Sequence, residues 1–250
     1  MSIPGFRRLV LELSQGAADP ATMRDAAGFA RVLGLDLLAL FVEDEALLHA
    51  SALPFSREID PVTHRWRRLR PDRLENELRA VAALARRHLA TAARDAGVSG
   101  SLEVHRGDPA PRVAEICVET DIVMLAPPRL GEAMHGSRRM RDTARDSAAS
   151  VLWLPPGGAP TQGPVVAVAA DGGDACVAMA RQIADRAEEQ LLVAMPGGGD
   201  LPLAGTTAAD IANAVGHAGP RLIAMSRGGP CGALGPDIAA LLRVPVLVLE

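Results

Sequence analysis

Residues 121–156 read DIVMLAPPRLGEAMHGSRRMRDTARDSAASVLWLPP. Two short apolar runs, IVML at 122–125 and VLWL at 151–154, bracket a turn rich in proline and glycine and a segment of helical pattern. Residues 221–250 repeat that order in shorter form: LIAM, the glycine-rich turn SRGGPCGALG, a brief helical segment after Pro236, and VLVL at 246–249. Strands of a parallel sheet covered on both faces are buried on two sides, so they need no polar alternation and read as runs of this kind. The chain therefore predicts two α/β units, each ending in the same strand–glycine turn–helix–strand sequence.

Toward the amino terminus, RLVLEL at 8–13 and DLLALFV at 36–42 predict buried strands on either side of a helix over 21–33 that Gly34 ends. An insertion over 43–71 follows, holding LLHASALPFSREID and the arginine cluster HRWRRLR. Pro71 and Asp72 open a helix in which Asp72 and Glu75 have capping-box spacing, and Leu74, Leu78, Val81, Ala85 and Leu89 mark one apolar stripe up to Gly97. A third, less apolar strand at 101–105 and a short helix over 112–120 complete the first unit. The linker PPGGAPTQGP occupies 155–164, and then the pattern restarts: a strand at 165–170, the turn Asp171-Gly172-Gly173, a helix over 174–189 and a strand at 191–195. From there the chain passes to a short helix at 210–215, with no expected counterpart of the capped helix or third strand. The expected organisation is a first domain over 4–156 carrying the insertion 43–71, and a shortened second domain over 163–250, each a doubly wound parallel sheet.

Composition narrows the function. A net charge of −4 gives no global attraction for nucleic acid or an anionic membrane. All basic residues are arginine, which excludes a P-loop lysine and Schiff-base chemistry. Cys117, Cys176 and Cys231 lack paired spacing, and no stretch approaches the ~18 uninterrupted apolar residues of a membrane span, so a cytoplasmic protein outside the membrane is expected. The six histidines are scattered without ligand spacing, and Ser137 lacks the flanking glycines of a nucleophile elbow; no catalytic or metal residues are assigned.

The order of elements, with its strand–glycine turn–strand endings, resembles two tandem universal stress protein domains, a family of flavodoxin-like, adenine-nucleotide-hydrolase-like α/β units. In that family an acidic residue in a DGS-like turn after the first strand lies beside the adenosine, and a glycine signature after the fourth strand, G-x2-G-x9-G-[S/T], wraps the phosphates. Members without the signature do not hold ATP. In the first half the acidic position falls on Ser14, and of the glycine signature only Gly131 and the Gly136-Ser137 pair remain, with Pro127 and Pro128 removing backbone donors. In the second half Asp171 and Gly172 match the acidic turn, and Arg227, Gly228, Gly229 and Gly232 form a flexible loop, while the final G-[S/T] is missing. The resemblance thus implies a regulatory or interaction protein with a degenerate nucleotide site, needing no cofactor and acting through a protein partner or self-association. It leaves a second reading open: an ATP- or AMP-binding stress sensor, at most a slow ATPase, built on the second half. It also implies a pseudo-dimer joined through the strands at 151–154 and 246–249.

Three features stand apart from the resemblance. Arg65, Arg67, Arg68, Arg70 and Arg73 crowd Trp66, as a solvated or partner-binding edge rather than a nucleic-acid grip. Cys231, ahead of a helix, is either a small turn residue or a thiol of lowered pKa. Leu47, Leu48, Leu53, Phe55 and Ile59 are either internal packing or an exposed apolar patch.

Overall fold

The computed structural model describes residues 5–13, 19–60, 63–125, 142–143, 147–229 and 231–250. The first half runs β1 (Arg8–Leu13), α1 (Pro20–Leu33), β2 (Asp36–Asp44), α2 (Glu45–Ala52), β3 (Arg57–Ile59), β4 (Trp66–Arg68), α3 (Pro71–Ala96), β5 (Gly100–Gly107), α4 (Pro109–Ile116), β6 (Asp121–Leu125) and β7 (Ser150–Trp153). The second runs β8 (Val165–Val168), α5 (Ala175–Ala187), β9 (Leu191–Pro196), β10 (Gly198–Gly199), β11 (Leu201–Leu203), α6 (Ala208–Val215), β12 (Leu222–Ser226), α7 (Gly235–Leu242) and β13 (Val246–Leu249).

Local chemistry sets most boundaries. Asp19 caps α1 by accepting from the Thr22 amide at 3.4 Å, Pro20 supplies a preset φ at the first helical position, and Gly34 closes the helix at φ 65°. Gly97 ends α3 in the same left-handed way, at φ 70°. The capping box expected at Asp72 and Glu75 does not form: α3 opens at Pro71 as expected, but the cap is Arg70, two residues before Asp72, which lies inside the first turn. Glu75 turns outward to Arg79, at 2.9 Å. A proline at 109 likewise starts α4 ahead of the expected residue 112, and Cys117 ends it.

One eleven-stranded sheet runs the length of the molecule, in the order β10-β9-β8-β12-β13-β7-β6-β1-β2-β5 with β11 also on β9. Within the first half β5, β2, β1, β6 and β7 are parallel neighbours. Within the second, β9, β8, β12 and β13 are parallel neighbours in the matching order. The blocks meet where β13 pairs antiparallel with β7, Val246 opposite Trp153 and Val248 opposite Val151. Because that one pairing is antiparallel, the carboxyl ends of the strands lie on opposite rims of the sheet in the two halves. The second half also departs from its expected abbreviation: β11 pairs parallel with β9, Leu201 opposite Ala194, so the third-strand position is filled although no long helix leads to it. Pro202 is tolerated there because β11 is an edge strand.

Alternate residues of each strand feed two cores, one per face. On one face Leu9, Leu37, Ile122, Leu152, Val165, Leu222 and Leu247 pack with α1, α3 and α5. On the other Val10, Leu40, Val123, Val151, Val166, Ile223 and Val248 pack with α4, α6 and α7. Each core extends through both halves, and burial of each such leucine or valine contributes about 1.5–3 kcal/mol. Across the halves, Arg186 on α5 donates to the Leu33 carbonyl that ends α1, at 2.7 Å. No helix among the described residues is long and apolar enough to cross a membrane.

The amino ends of β1 and β6 are locked by one charged pair. Arg8 sits opposite Asp121 in the register and donates from Nε at 2.9 Å and from a terminal nitrogen at 2.6 Å, while the buried Asp121 also accepts from the Val118 amide at 3.1 Å. The hydrogen bond to Asp121 raises the pKa of Arg8, against partial burial, which lowers it. Removing Arg8 leaves the carboxylate of Asp121, 1% exposed, without its counter-charge. Arg8→Ala is expected to lower unfolding free energy by roughly 2–4 kcal/mol in urea titration; a loss within error of zero would mean that the pair contributes nothing to the fold.

Candidate functional site at the carboxyl ends of β8 and β12

In an open α/β sheet the crevice for a ligand opens at the carboxyl ends of the strands where the winding reverses. In the second half that point lies between β8 and β12, since the chain winds from β8 to β9 on one side and returns to β12 on the other. Residues 169–174 and 226–235 flank it, and they contain Asp171, Gly172, Arg227, Gly228, Gly229 and Gly232. The equivalent loops of the first half carry Ser14, Gly131, Gly136 and Ser137, which lie outside the described residues.

The structure brings the second-half residues to one place but spends their polar groups internally. Asp171 is exposed and accepts from the Gly173 amide at 2.8 Å, closing its own turn. The Gly229 amide donates to the Ser226 carbonyl at 3.1 Å and the Gly232 amide to the Gly229 carbonyl at 3.3 Å, so two of the expected anion donors are engaged in the turn. None of Gly172, Gly228, Gly229 or Gly232 has positive φ. Glycine is required at 232 for a different reason: a Cβ there would lie 2.4 Å from the Arg227 carbonyl oxygen and 2.6 Å from that of Ser226. At Gly172 and Gly228 a Cβ would meet nothing within 4 Å.

Arg227 points away from the loop. Its guanidinium donates to the carbonyl of Ser147 and, at 2.5 Å, to that of Ala149, and it pairs with Glu250 at 2.6 Å. The Glu250 amide in turn donates to the Ser150 hydroxyl at 3.2 Å. Arg227 is therefore a clasp on the β7–β13 junction.

Asp174, three residues beyond Asp171, is the functional-looking carboxylate that sequence reading passed over. It caps α5, accepting from the Cys176 amide at 3.1 Å, from the Ala170 amide at 3.4 Å and from the Ser226 hydroxyl across the crevice. Burial pushes its carboxyl up, but the hydrogen bonds from Ser226 and from the Cys176 and Ala170 amides outweigh that, and the net shift is downward. The positive end of α5, where a phosphate would bind, is thus already met by a carboxylate of the chain itself. An N-cap aspartate at the start of a helical pattern was a signal available in the sequence; its bond to Ser226 was not.

Burial holds the thiols in their protonated form. All three cysteines are free and buried, and burial pushes Cys117 and Cys176 up to about 12 and raises Cys231 as well, which removes the lowered-pKa reading of Cys231. Two clefts formed by described residues measure about 560 Å³, beside Arg70, Arg73 and Glu77 at the start of α3, and about 460 Å³, beside Gly158, Gly219 and Arg243 at the linker.

Two outcomes are expected from these bonds. Gly232→Ala should cost about 1–3 kcal/mol of stability from overpacking while Gly228→Ala stays near wild type; equal effects would contradict the close approach at 232. Because Asp174 titrates lower in the folded chain, its contribution is complete above about pH 4 and fades as pH falls through the folded value. The stability difference between wild type and Asp174→Asn should accordingly be flat from pH 7 to about pH 5 and shrink below it, as read from thermal unfolding at stepped pH.

No protein-family model matches the sequence, and no curated protein matches it. Solved structures do. A universal stress protein from Archaeoglobus fulgidus superposes with a TM-score of 0.65 over 97% of this chain and 98% of its own, at 15% identity. A protein of unknown function from Pseudomonas aeruginosa PAO1 follows at 0.57, with 98% and 92% covered and 15% identity. A provisionally named universal stress protein from Pseudomonas aeruginosa UCBPP-PA14 gives 0.55, with 98% and 93% covered and 16% identity. The strand order, the helices on both faces and this similarity over nearly the whole length agree: the chain has the fold of the universal stress proteins.

Proposed function

We propose that this chain is a regulatory or interaction protein of the universal stress type, working in the cytoplasm through a protein partner, with a degenerate nucleotide site and no catalysis. We take its two halves as copies of one unit, arranged as an intramolecular pseudo-dimer. The observation that carries the functional reading is the fate of the second-half crevice. Asp171 closes its own turn, the Gly229 and Gly232 amides bond within the loop, Asp174 occupies the α5 amino end, and Arg227 is tied to Ser147, Ala149 and Glu250. A phosphate entering there would have to displace bonds the chain already makes and sit beside carboxylates.

A second reading is kept by the exposure of Asp171 and Gly172 at the winding reversal, the place where the fold accommodates adenosine in its nucleotide-binding members. It makes the protein an ATP or AMP sensor with one site, in the second half.

Isothermal titration with ATP and with AMP, with and without magnesium, distinguishes the two. The proposal expects no binding heat at millimolar nucleotide for wild type or for Asp171→Ala. Binding to wild type that is lost in Asp171→Ala replaces it with the sensor reading, and release of inorganic phosphate would replace both with an enzyme.

A further inference from the structure

The insertion between β2 and α3 divides into an inner and an outer part. Leu47 and Leu48 on α2 pack against the core, and Ser51 is buried with its hydroxyl on the Leu48 carbonyl at 2.6 Å. The hairpin β3–β4 stands outside. Its register places Arg57 opposite Arg68, Glu58 opposite Arg67 and Ile59 opposite Trp66.

The two faces of this hairpin differ. On the inner face Arg67 is held by Glu58 at 2.7 Å and Asp60 at 2.5 Å, and all three are half-buried. On the outer face Ile59 is 52% exposed and Trp66 65%, beside two exposed arginines, and Phe55 just before β3 is 76% exposed. Arg57 and Arg68 have no carboxylate within ion-pair distance among the described residues, although they oppose each other directly. Like charges in that position destabilise a ladder, so the free protein gains nothing from them.

The backbone has the same bias. The bonds from the Asp60 amide to the Arg65 carbonyl (3.0 Å) and from the Leu69 amide to the Ser56 carbonyl (3.0 Å) fix the hydrogen-bonded pairs of the ladder. Arg57–Arg68 and Ile59–Trp66 are then the non-hydrogen-bonded pairs, whose amides and carbonyls turn outward to the two edges. The hairpin pairs with no other strand among the described residues, and a two-stranded ribbon alone is marginal in water.

We propose that this hairpin is a docking site for an extended acidic segment of another protein, which adds as a third strand along the edge of β4. Strand addition there satisfies the outward amides and carbonyls of Trp66 and Arg68, and alternate side chains of the added strand meet the exposed face. An acid next to the Arg57–Arg68 pair removes its repulsion, and an apolar residue two positions along covers Ile59 and Trp66. A short peptide fits better than a nucleic acid, because the cationic area is two cross-strand residues wide and the whole chain carries a net charge of −4. The inference rests on the interaction reading above, but it is tested at a separate surface: nucleotide titration leaves the hairpin untouched, and peptide titration leaves the crevice untouched.

The chain has two tryptophans, of which Trp153 is 6% exposed and Trp66 faces solvent, so emission changes on binding report the hairpin. The full chain is titrated with an eight-residue peptide repeating Glu-Thr-Val-Thr, and with the same peptide bearing Lys for Glu. The expected result is a saturable blue shift with the acidic peptide, weakened by 0.5 M salt, and none with the basic one. Arg68→Glu puts a carboxylate opposite Arg57, so it should keep or raise the melting temperature while weakening the peptide at least tenfold. No shift with the acidic peptide at millimolar concentration, equal shifts with both peptides, or unchanged binding in Arg68→Glu overturns the proposal. So does a shift given by a single-stranded oligonucleotide or by phosphatidylserine vesicles but not by the acidic peptide.

Discussion

The pairing of β7 with β13 is the constraint from which the rest of the molecule follows. Each is a four-residue strand, fully buried, and each would be the bare edge of its own block if the other were absent. An apolar strand with unpaired backbone groups on one side is an aggregation template. Joined antiparallel, the two strands cover one another and become the middle of the sheet, and both cores close over the seam. Trp153 and Val248 at the junction also determine how near α7 can lie: a Cβ on Gly235 would be 2.7 Å from Val248 and 3.0 Å from the Trp153 ring. Arg227 and Glu250 fasten the same seam from its rim.

That seam explains the state of the crevice beside it. A loop free to cradle an anion would need its arginine and its glycine amides turned toward the strand ends. Here Arg227 serves the junction, and the tight packing of Gly232 on the Arg227 and Ser226 carbonyls fixes the loop in the conformation that allows this. Asp174 and Ser226 bridge the crevice mouth with a hydrogen bond of their own. The described bonds of these residues all run within the chain and support the sheet.

The elements legible in the sequence were those whose cause is local. The apolar runs at 122–125, 151–154 and 246–249 are strands because two-sided burial leaves one composition possible, and Gly34 and Gly97 stop helices through their own φ. The α3 cap was misplaced by two residues because Asp72 has capping chemistry, yet Pro71 ahead of it is already competent for the first helical position. The hairpin β3–β4 was hidden because its strands, Arg-Glu-Ile and Trp-Arg-Arg, are three residues each and too short to show an apolar period. β11 was hidden because it holds a proline and lacks the helix that marks a parallel crossover. Of the site residues, the sequence made positions legible but not the bonds they form. Asp171 and the glycines do reach the winding reversal, but Arg227 is committed to carbonyls about eighty residues earlier in the chain, a relation no local pattern encodes.

The order of the sheet has a consequence for how the chain is made. β7 leaves the ribosome roughly ninety residues before β13, so at about 5–20 residues per second the nascent first half waits several seconds for its seam partner. During that interval β7, buried along its whole length in the finished chain, has one open side, and the nearest complementary edge in a crowded polysome is β7 of a neighbouring chain. The linker at 155–164 has a bearing on that competition: it is short, with four prolines and three glycines of positive φ, Gly157, Gly158 and Gly163, and it ties β8 to the block that holds β7. Holding the second half near its own first half raises the local concentration of the correct strand above that of any neighbour. Assembly within one molecule is then favoured before exchange between two can begin.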